Sequence, residues 1–171
     1  SISIFAQEYQ VADSSALTNA YNNAQDGDTI KLTADITVET VFYLEKQVTL
    51  DLNGKTFTAT AACKWGAIRM KNGSSLINGT VVHQGLTCAI KMWNADKIEN
   101  VTIECTYDGA DGAKTVGGIV FQKDSGVHLN SIKNVEIKGV GLTNGIETYC
   151  CGNATNNVVD LIENVKIDAN G

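Results

Sequence analysis

Along most of this chain apolar and polar residues alternate with period two, and the alternation restarts at short intervals. From Thr29 onward Ile30, Leu32 and Ile36 are separated by polar positions, followed by Val41, Tyr43 and Leu44, then Val48, Leu50 and Leu52. Short apolar-alternating runs bounded by Gly, Asn, Asp and Ser continue to the C-terminus, the pattern of many short strands. One segment departs from it. Asp13-Ser14-Ser15 offers an N-cap, Ala16, Leu17, Ala20, Tyr21 and Ala24 follow at helical spacing, and Asp26-Gly27-Asp28 supplies a stop. The spacing predicts an amphipathic helix over 14–25, preceded by a first strand or arm containing Ile2, Ile4 and Phe5.

The strand pattern is also a repeat. Ile98-Glu99-Asn100-Val101-Thr102-Ile103 is rewritten as Ile132-Lys133-Asn134-Val135-Glu136-Ile137 and as Ile162-Glu163-Asn164-Val165-Lys166-Ile167, with looser copies at Leu76–Val81 and Leu52–Thr56. The shared Asn stands at 53, 78, 100, 134 and 164, spacings of 25, 22, 34 and 30, a period that signals a solenoid. A second column runs through Gly66-Ala67-Ile68-Arg69-Met70, Cys88-Ala89-Ile90-Lys91-Met92, Gly118-Ile119-Val120-Phe121 and Gly145-Ile146-Glu147. Strand alternation then places Ile68, Met70, Ile90, Met92, Ile119, Phe121 and Ile146 inward, with Val101, Ile103, Val135, Ile137, Val165 and Ile167. Arg69, Lys91, Val120 and Glu147 form one outward column, and Lys71, Trp93, Gln122 and Tyr149 another.

The repeated Asn has a structural explanation. Neighbouring strands lie roughly 4.8 Å apart, so identical residues in successive repeats stack. An Asn amide both donates and accepts, and Asn tolerates the left-handed conformation of a bend. Asn53, Asn78, Asn100, Asn134 and Asn164 are therefore expected to form an internal ladder. On that expectation the sequons at Asn78 and Asn100 face the interior, while those at Asn72 and Asn153 lie in turns.

On these residues the chain resembles the right-handed parallel β-helix of the pectate-lyase-like superfamily. The opening Leu17-Thr18-Asn19-Ala20-Tyr21 and Gly27-Asp28-Thr29-Ile30-Lys31-Leu32 is similar to the helix that caps such β-helices, and Leu50–Thr56 resembles the first full rungs of bacterial surface proteins of this type. The resemblance covers roughly residues 14–171. It implies an all-β, right-handed, single-stranded parallel β-helix of about six rungs with a short N-terminal capping α-helix. The organisation expected is an arm and cap over 1–28 and the β-helix over 29–171, one structural unit belonging to a longer chain or an assembly. The fold hosts lyases, hydrolases, adhesins and phage tail or fibre proteins, so it does not choose among them.

Composition narrows the choice. A net charge of −6 without a Lys/Arg cluster argues against nucleic acid and anionic membranes, and the absence of a long apolar run argues against membrane insertion. The chain begins with Ser1 and shows no signal-peptide pattern, which reads as a processed form or an excised piece. Cys63, Cys88, Cys105, Cys150 and Cys151 form no C-x-x-C and, with only His83 and His128, offer no zinc spacing; they read as small buried apolar residues, with a strained disulfide open to the vicinal pair.

The enzymes of the resembled superfamily imply a Ca²⁺ held by clustered carboxylates with an Arg or Lys base, or converging acids on successive rungs. Asp26-Gly27-Asp28 and Asp108-Gly109-Ala110-Asp111-Gly112 are the dense acidic turns, and both read as ordinary turn chemistry, which leaves Ca²⁺ unsupported and no metal or cofactor expected. Arg69 lacks a carboxylate cluster beside it. His83 and His128 read as loop residues, and Trp65 as a loop anchor. The reading that follows is a non-catalytic structural or adhesive module of a bacterial surface or phage structural protein, extracellular, at the cell surface or in a virion. Its glycan-binding candidates are Arg69, Lys71, Lys91, Trp93, Gln122 and Tyr149. Self-association or chain continuation is expected at the open C-terminal end. The competing reading is a polysaccharide lyase or glycoside hydrolase of that superfamily, or a fragment of one.

Overall fold

A computed structural model describes residues 5–107, 117–122, 126–140, 142–148 and 156–169. Asp108 to Gly112, Tyr149, Cys150, Cys151, the Asn153 sequon, Ile2 and Ile4 lie outside them. The described chain is all-β apart from one short helix, and its paired strands are parallel. A first sheet contains β1 (Glu8–Val11), β2 (Thr29–Leu32), β3 (Ile36–Val38), β5 (Thr49–Asp51), β6 (Thr56–Ala59), β8 (Ser74–His83), β10 (Ala95–Cys105), β12 (His128–Gly139) and β14 (Val158–Asp168). Its main order is β1-β2-β5-β8-β10-β12-β14, with β3 and β6 joining alongside β8. The second sheet runs β4 (Phe42–Leu44), β7 (Ile68–Met70), β9 (Cys88–Met92), β11 (Gly117–Phe121) and β13 (Asn144–Glu147). The chain visits the two sheets in turn, and each visit adds a parallel strand beside the previous one. That arrangement is compatible with a parallel β-solenoid.

The core is built of stacked side chains. Ile30, Leu50, Leu76, Ile98, Ile132 and Ile162 occupy one register line, and Ile36, Phe57, Val81, Ile103, Ile137 and Ile167 a second. Phe42, Ile68, Ile90, Ile119 and Ile146 form a third across the other sheet. Most are fully buried, as the sequence pattern expects. Ile146 and Val165 are only partly buried, and Ile167 is 49% exposed, because β13 and β14 are the last strands of their sheets and, among the described residues, have a neighbour on one side only.

The Asn residues explain how one strand bends. Asn53, Asn78, Asn100, Asn134 and Asn164 all adopt positive φ, between 50° and 61°. Ile98 and Val101 are both buried although three residues apart, because the left-handed residue between them reverses the alternation. The amides then chain across the strands: Asn164 donates to Asn134 (2.8 Å), Asn134 to Asn100 (2.9 Å) and Asn100 to Asn78 (3.1 Å). Two expectations are corrected here. Asn53 is not a member; Asp51 Oδ1 accepts the amide of Asn78 (3.1 Å), while Asn53 donates to the Leu32 carbonyl (2.9 Å). Nor is the ladder internal. Asn100, Asn134 and Asn164 are exposed and Asn78 half-buried, since the bend that turns the flanking Ile and Val inward turns the Asn outward. The Asn78 and Asn100 amides are held by ladder bonds, not by burial.

The helix α1 (Ser14–Asn23) begins as expected, with the Asp13 side chain accepting from Ala16 N at 2.8 Å. It ends two residues earlier than the sequence suggests. Asp28, nearly fully buried, accepts from Gln25 N and Gln7 N, both at 2.8 Å, which pulls Gln25 out of the helix before Gly27 is reached. These backbone donors hold the Asp28 carboxyl below the usual carboxylate range. Lys46 closes the other orphan groups by donating to the carbonyls of Tyr21 (2.8 Å), Ala24 (2.9 Å) and Asn22 (3.2 Å).

Candidate functional site

The outer face of the second sheet follows from the alternation that builds its inner one. With Phe42 and Leu44 inward, β4 presents Tyr43 and, just beyond its end, Glu45; β7 likewise presents Arg69 and then Lys71, and β9 presents Lys91 and then Trp93. Register places Tyr43, Arg69, Lys91, Val120 and Glu147 in one line. Glu45, Lys71, Trp93 and Gln122 follow in a second, where the main chain bonds Lys71 N to Leu44 O, Trp93 N to Met70 O and Gln122 N to Met92 O.

Three of the six predicted residues come together. The Arg69 guanidinium lies between two rings, 4.9 Å from the centroid of Tyr43 and 4.4 Å from that of Trp93. Lys71 Nζ stands 4.5 Å from the Trp93 ring. Each such contact contributes on the order of 0.5–2 kcal/mol. Glu45 Oε1 lies 3.9 Å from Arg69 Nε and 3.4 Å from Lys71 Nζ, and Arg69 Nε has no hydrogen-bond partner among the described residues. Glu45 therefore offsets part of the charge without saturating the Arg69 donors. Its backbone is fixed from both sides, by Tyr21 Oη accepting from Glu45 N (2.7 Å) and by Asn72 donating to Glu45 O (2.7 Å). The result is a half-buried patch of two rings, two clustered cations and Lys91 in the adjoining strand. Flat rings beside fork-shaped donors suit a ligand with apolar faces and a polar or anionic rim.

The remaining candidates contribute less. Gln122 sits next to Trp93 in register, but its Oε1 is buried and without a partner among the described residues, so it faces away from solvent. Val120, expected to point outward, is buried, flanked by the longer Lys91 and Glu147. Trp65, expected to anchor a loop, is instead 69% exposed. Tyr149 lies outside the described residues. Tyr43 and Glu45 were not anticipated. Their signal was present, since Phe42-Tyr43-Leu44-Glu45 keeps the alternation of Ile68-Arg69-Met70-Lys71, but Phe replaces Ile and the small residues before it are missing.

The histidines are corrected too. Both lie on strands. His83 is fully buried with Nε2 3.1 Å from the Leu86 carbonyl, and burial pushes its pKa down, so it is neutral. His128 Nε2 lies 2.9 Å from Asp160 Oδ2. Nearby, a shallow groove of 580 Å³ includes Ser75, Asp96 and Asn130; Asp96 accepts from Ser75 (3.0 Å) and Asn130 (2.7 Å), which occupies both of its oxygens. Cys63, Cys88 and Cys105 are buried thiols, and burial pushes Cys105 up to about 12. Among the described residues no three His, Cys, Asp or Glu side chains gather as a metal would need, and no helix is long and apolar enough to cross a membrane. Comparison with protein-family models, curated proteins and solved structures gave no match.

Proposed function

We propose that the chain is a right-handed parallel β-helix of the pectate-lyase-like type, capped over 1–28 and coiled over 29–171. In this reading it serves a bacterial surface or phage structural protein as an adhesive, non-catalytic module that binds glycans bearing carboxylate or sulfate groups. The observation that carries this reading is the Tyr43–Arg69–Trp93 sandwich with Lys71 beside it. Two cations are brought together around the rings, with Lys91 next to Arg69 in register, on a chain of net charge −6, which is the reverse of what solubility alone asks for. Rings that could stack on sugar faces are interleaved with donors that are only loosely paired with Glu45. The regular outward columns place such groups at strand spacing, suited to successive units of a polymer. The test is an array of neutral, uronic-acid and sulfated glycans probed with the parent chain and with Tyr43→Ala. The parent is expected to prefer acidic glycans and the variant to lose signal on them. A preference for neutral glycans would overturn the assignment of ligand class, and the absence of all binding would overturn the function.

A further inference from the structure

Among the described residues, the outer edge of β14 gathers several exposed apolar side chains on one strand. Val158, Leu161, Ile162 and Ile167 are 46%, 43%, 54% and 49% exposed, whereas Ile132 and Ile137, which match Ile162 and Ile167 one strand earlier, are fully buried. The same edge is charged in an ordered way. Lys133 pairs with Glu163 at 3.4 Å and Glu136 with Lys166 at 2.7 Å, and Lys138 pairs with Glu104 at 2.9 Å, so the sign alternates from strand to strand. Glu163 and Lys166 are the last members of two such lines and carry opposite charges.

We propose that β14 is an interface for a second copy of this chain, joined edge to edge about a two-fold axis. The sequence around Asn164 is self-complementary when run antiparallel. With the axis between Asn164 and Val165, Ile162 meets Ile167 of the second copy and Glu163 meets Lys166, each contact occurring twice. The positive φ of Asn164 makes the faces agree. It reverses the alternation, so that Ile162 and Ile167 share the inward face and Glu163 and Lys166 the outward one, although each pair is separated by an odd number of positions. The charge lines then continue without a like-charge neighbour: Glu99, Lys133, Glu163, then Lys166 and Glu136 of the second copy. The opposite edge of the sheet does not provide the alternative, head-to-tail mode. There, among the described residues, β1 offers Glu8, Tyr9, Gln10 and Val11 against eleven residues of β14, and its Glu8 already faces Lys31 (3.7 Å).

Sedimentation velocity of the 171-residue chain over a range of concentrations tests this. A monomer–dimer equilibrium that stops at two is expected. Glu163→Lys and Lys166→Glu, each alone, place like charges opposite one another and should weaken the dimer at least about tenfold. Mixed, the two variants recreate both opposite-charge contacts across the interface and should dimerise again. Both side chains are exposed, and the mixture contains the same two folded proteins as its controls, so recovery cannot come from refolding. A chain that stays monomeric, a mixture that does not recover, or growth beyond a dimer would each overturn the proposal.

Discussion

Asn is used here for two properties at once, and the two are separable. Asn134 adopts φ of 52°, donates to Asn100 and accepts from Asn164. Asn134→Ala loses both bonds and takes on left-handed strain, and is expected to destabilise by about 1–2 kcal/mol in urea unfolding. Asn134→Gly loses the same bonds but keeps the conformation, so it should cost roughly half as much; equal losses would contradict the bend as the reason for Asn. His83 sets a pH dependence. Its pKa is lowered in the folded protein, so the unfolded chain takes up the proton first, and stability present above about 6.5 is lost as pH falls below it. The urea midpoint should therefore drop between pH 7 and 5, and His83→Leu, less stable overall, should show a flatter profile there. Asp28 acts lower, in the same direction, as pH falls below about 4. Cys105, pushed up to about 12, should resist alkylation at pH 8 until the protein is unfolded, as mass spectrometry would show.

The elements join the cap to the candidate site. Lys46 closes the end of α1 while its neighbour Glu45 donates its backbone N–H to the Tyr21 hydroxyl oxygen and turns its carboxylate to Arg69 and Lys71. Lys46→Ala is expected to lower stability by about 1 kcal/mol through the lost carbonyl partners, read as a shift in the urea midpoint. An unchanged midpoint would mean that water replaces them. The helix and the strand stack were legible because their signals are local: a capping Asp, apolar spacing of one period, then of another. The ladder was legible in its Asn column but not in its facing, since the direction of an Asn at a left-handed bend depends on the flanking Ile and Val, which compete for the interior. Asp51 in place of Asn53 was hidden because two residues near the bend both carry an acceptor, and only the register decides. Arg69 was legible in one outward column and Lys71 and Trp93 in the next; Tyr43 and Glu45 were not legible as site residues, because β4 departs from the repeat in composition while keeping its alternation.

Across the whole molecule, strand order turns sequence repetition into two kinds of surface. Inward columns of Ile, Leu, Val, Met and Phe supply the core, and outward columns collect charge by strand neighbourhood instead of chain proximity. This is how Tyr43, Arg69 and Trp93, distant in sequence, form one sandwich on a chain whose overall charge has the opposite sign. The same logic leaves β14 with apolar and charged side chains at an edge that no other described strand pairs. The claim that the outer face of the second sheet is a glycan site is tested most directly by calorimetric titration with a galacturonate oligosaccharide of the parent, Trp93→Ala and Trp65→Ala. The parent and Trp65→Ala should bind alike, and Trp93→Ala at least about tenfold more weakly; equal binding by all three, or none by the parent, would contradict it.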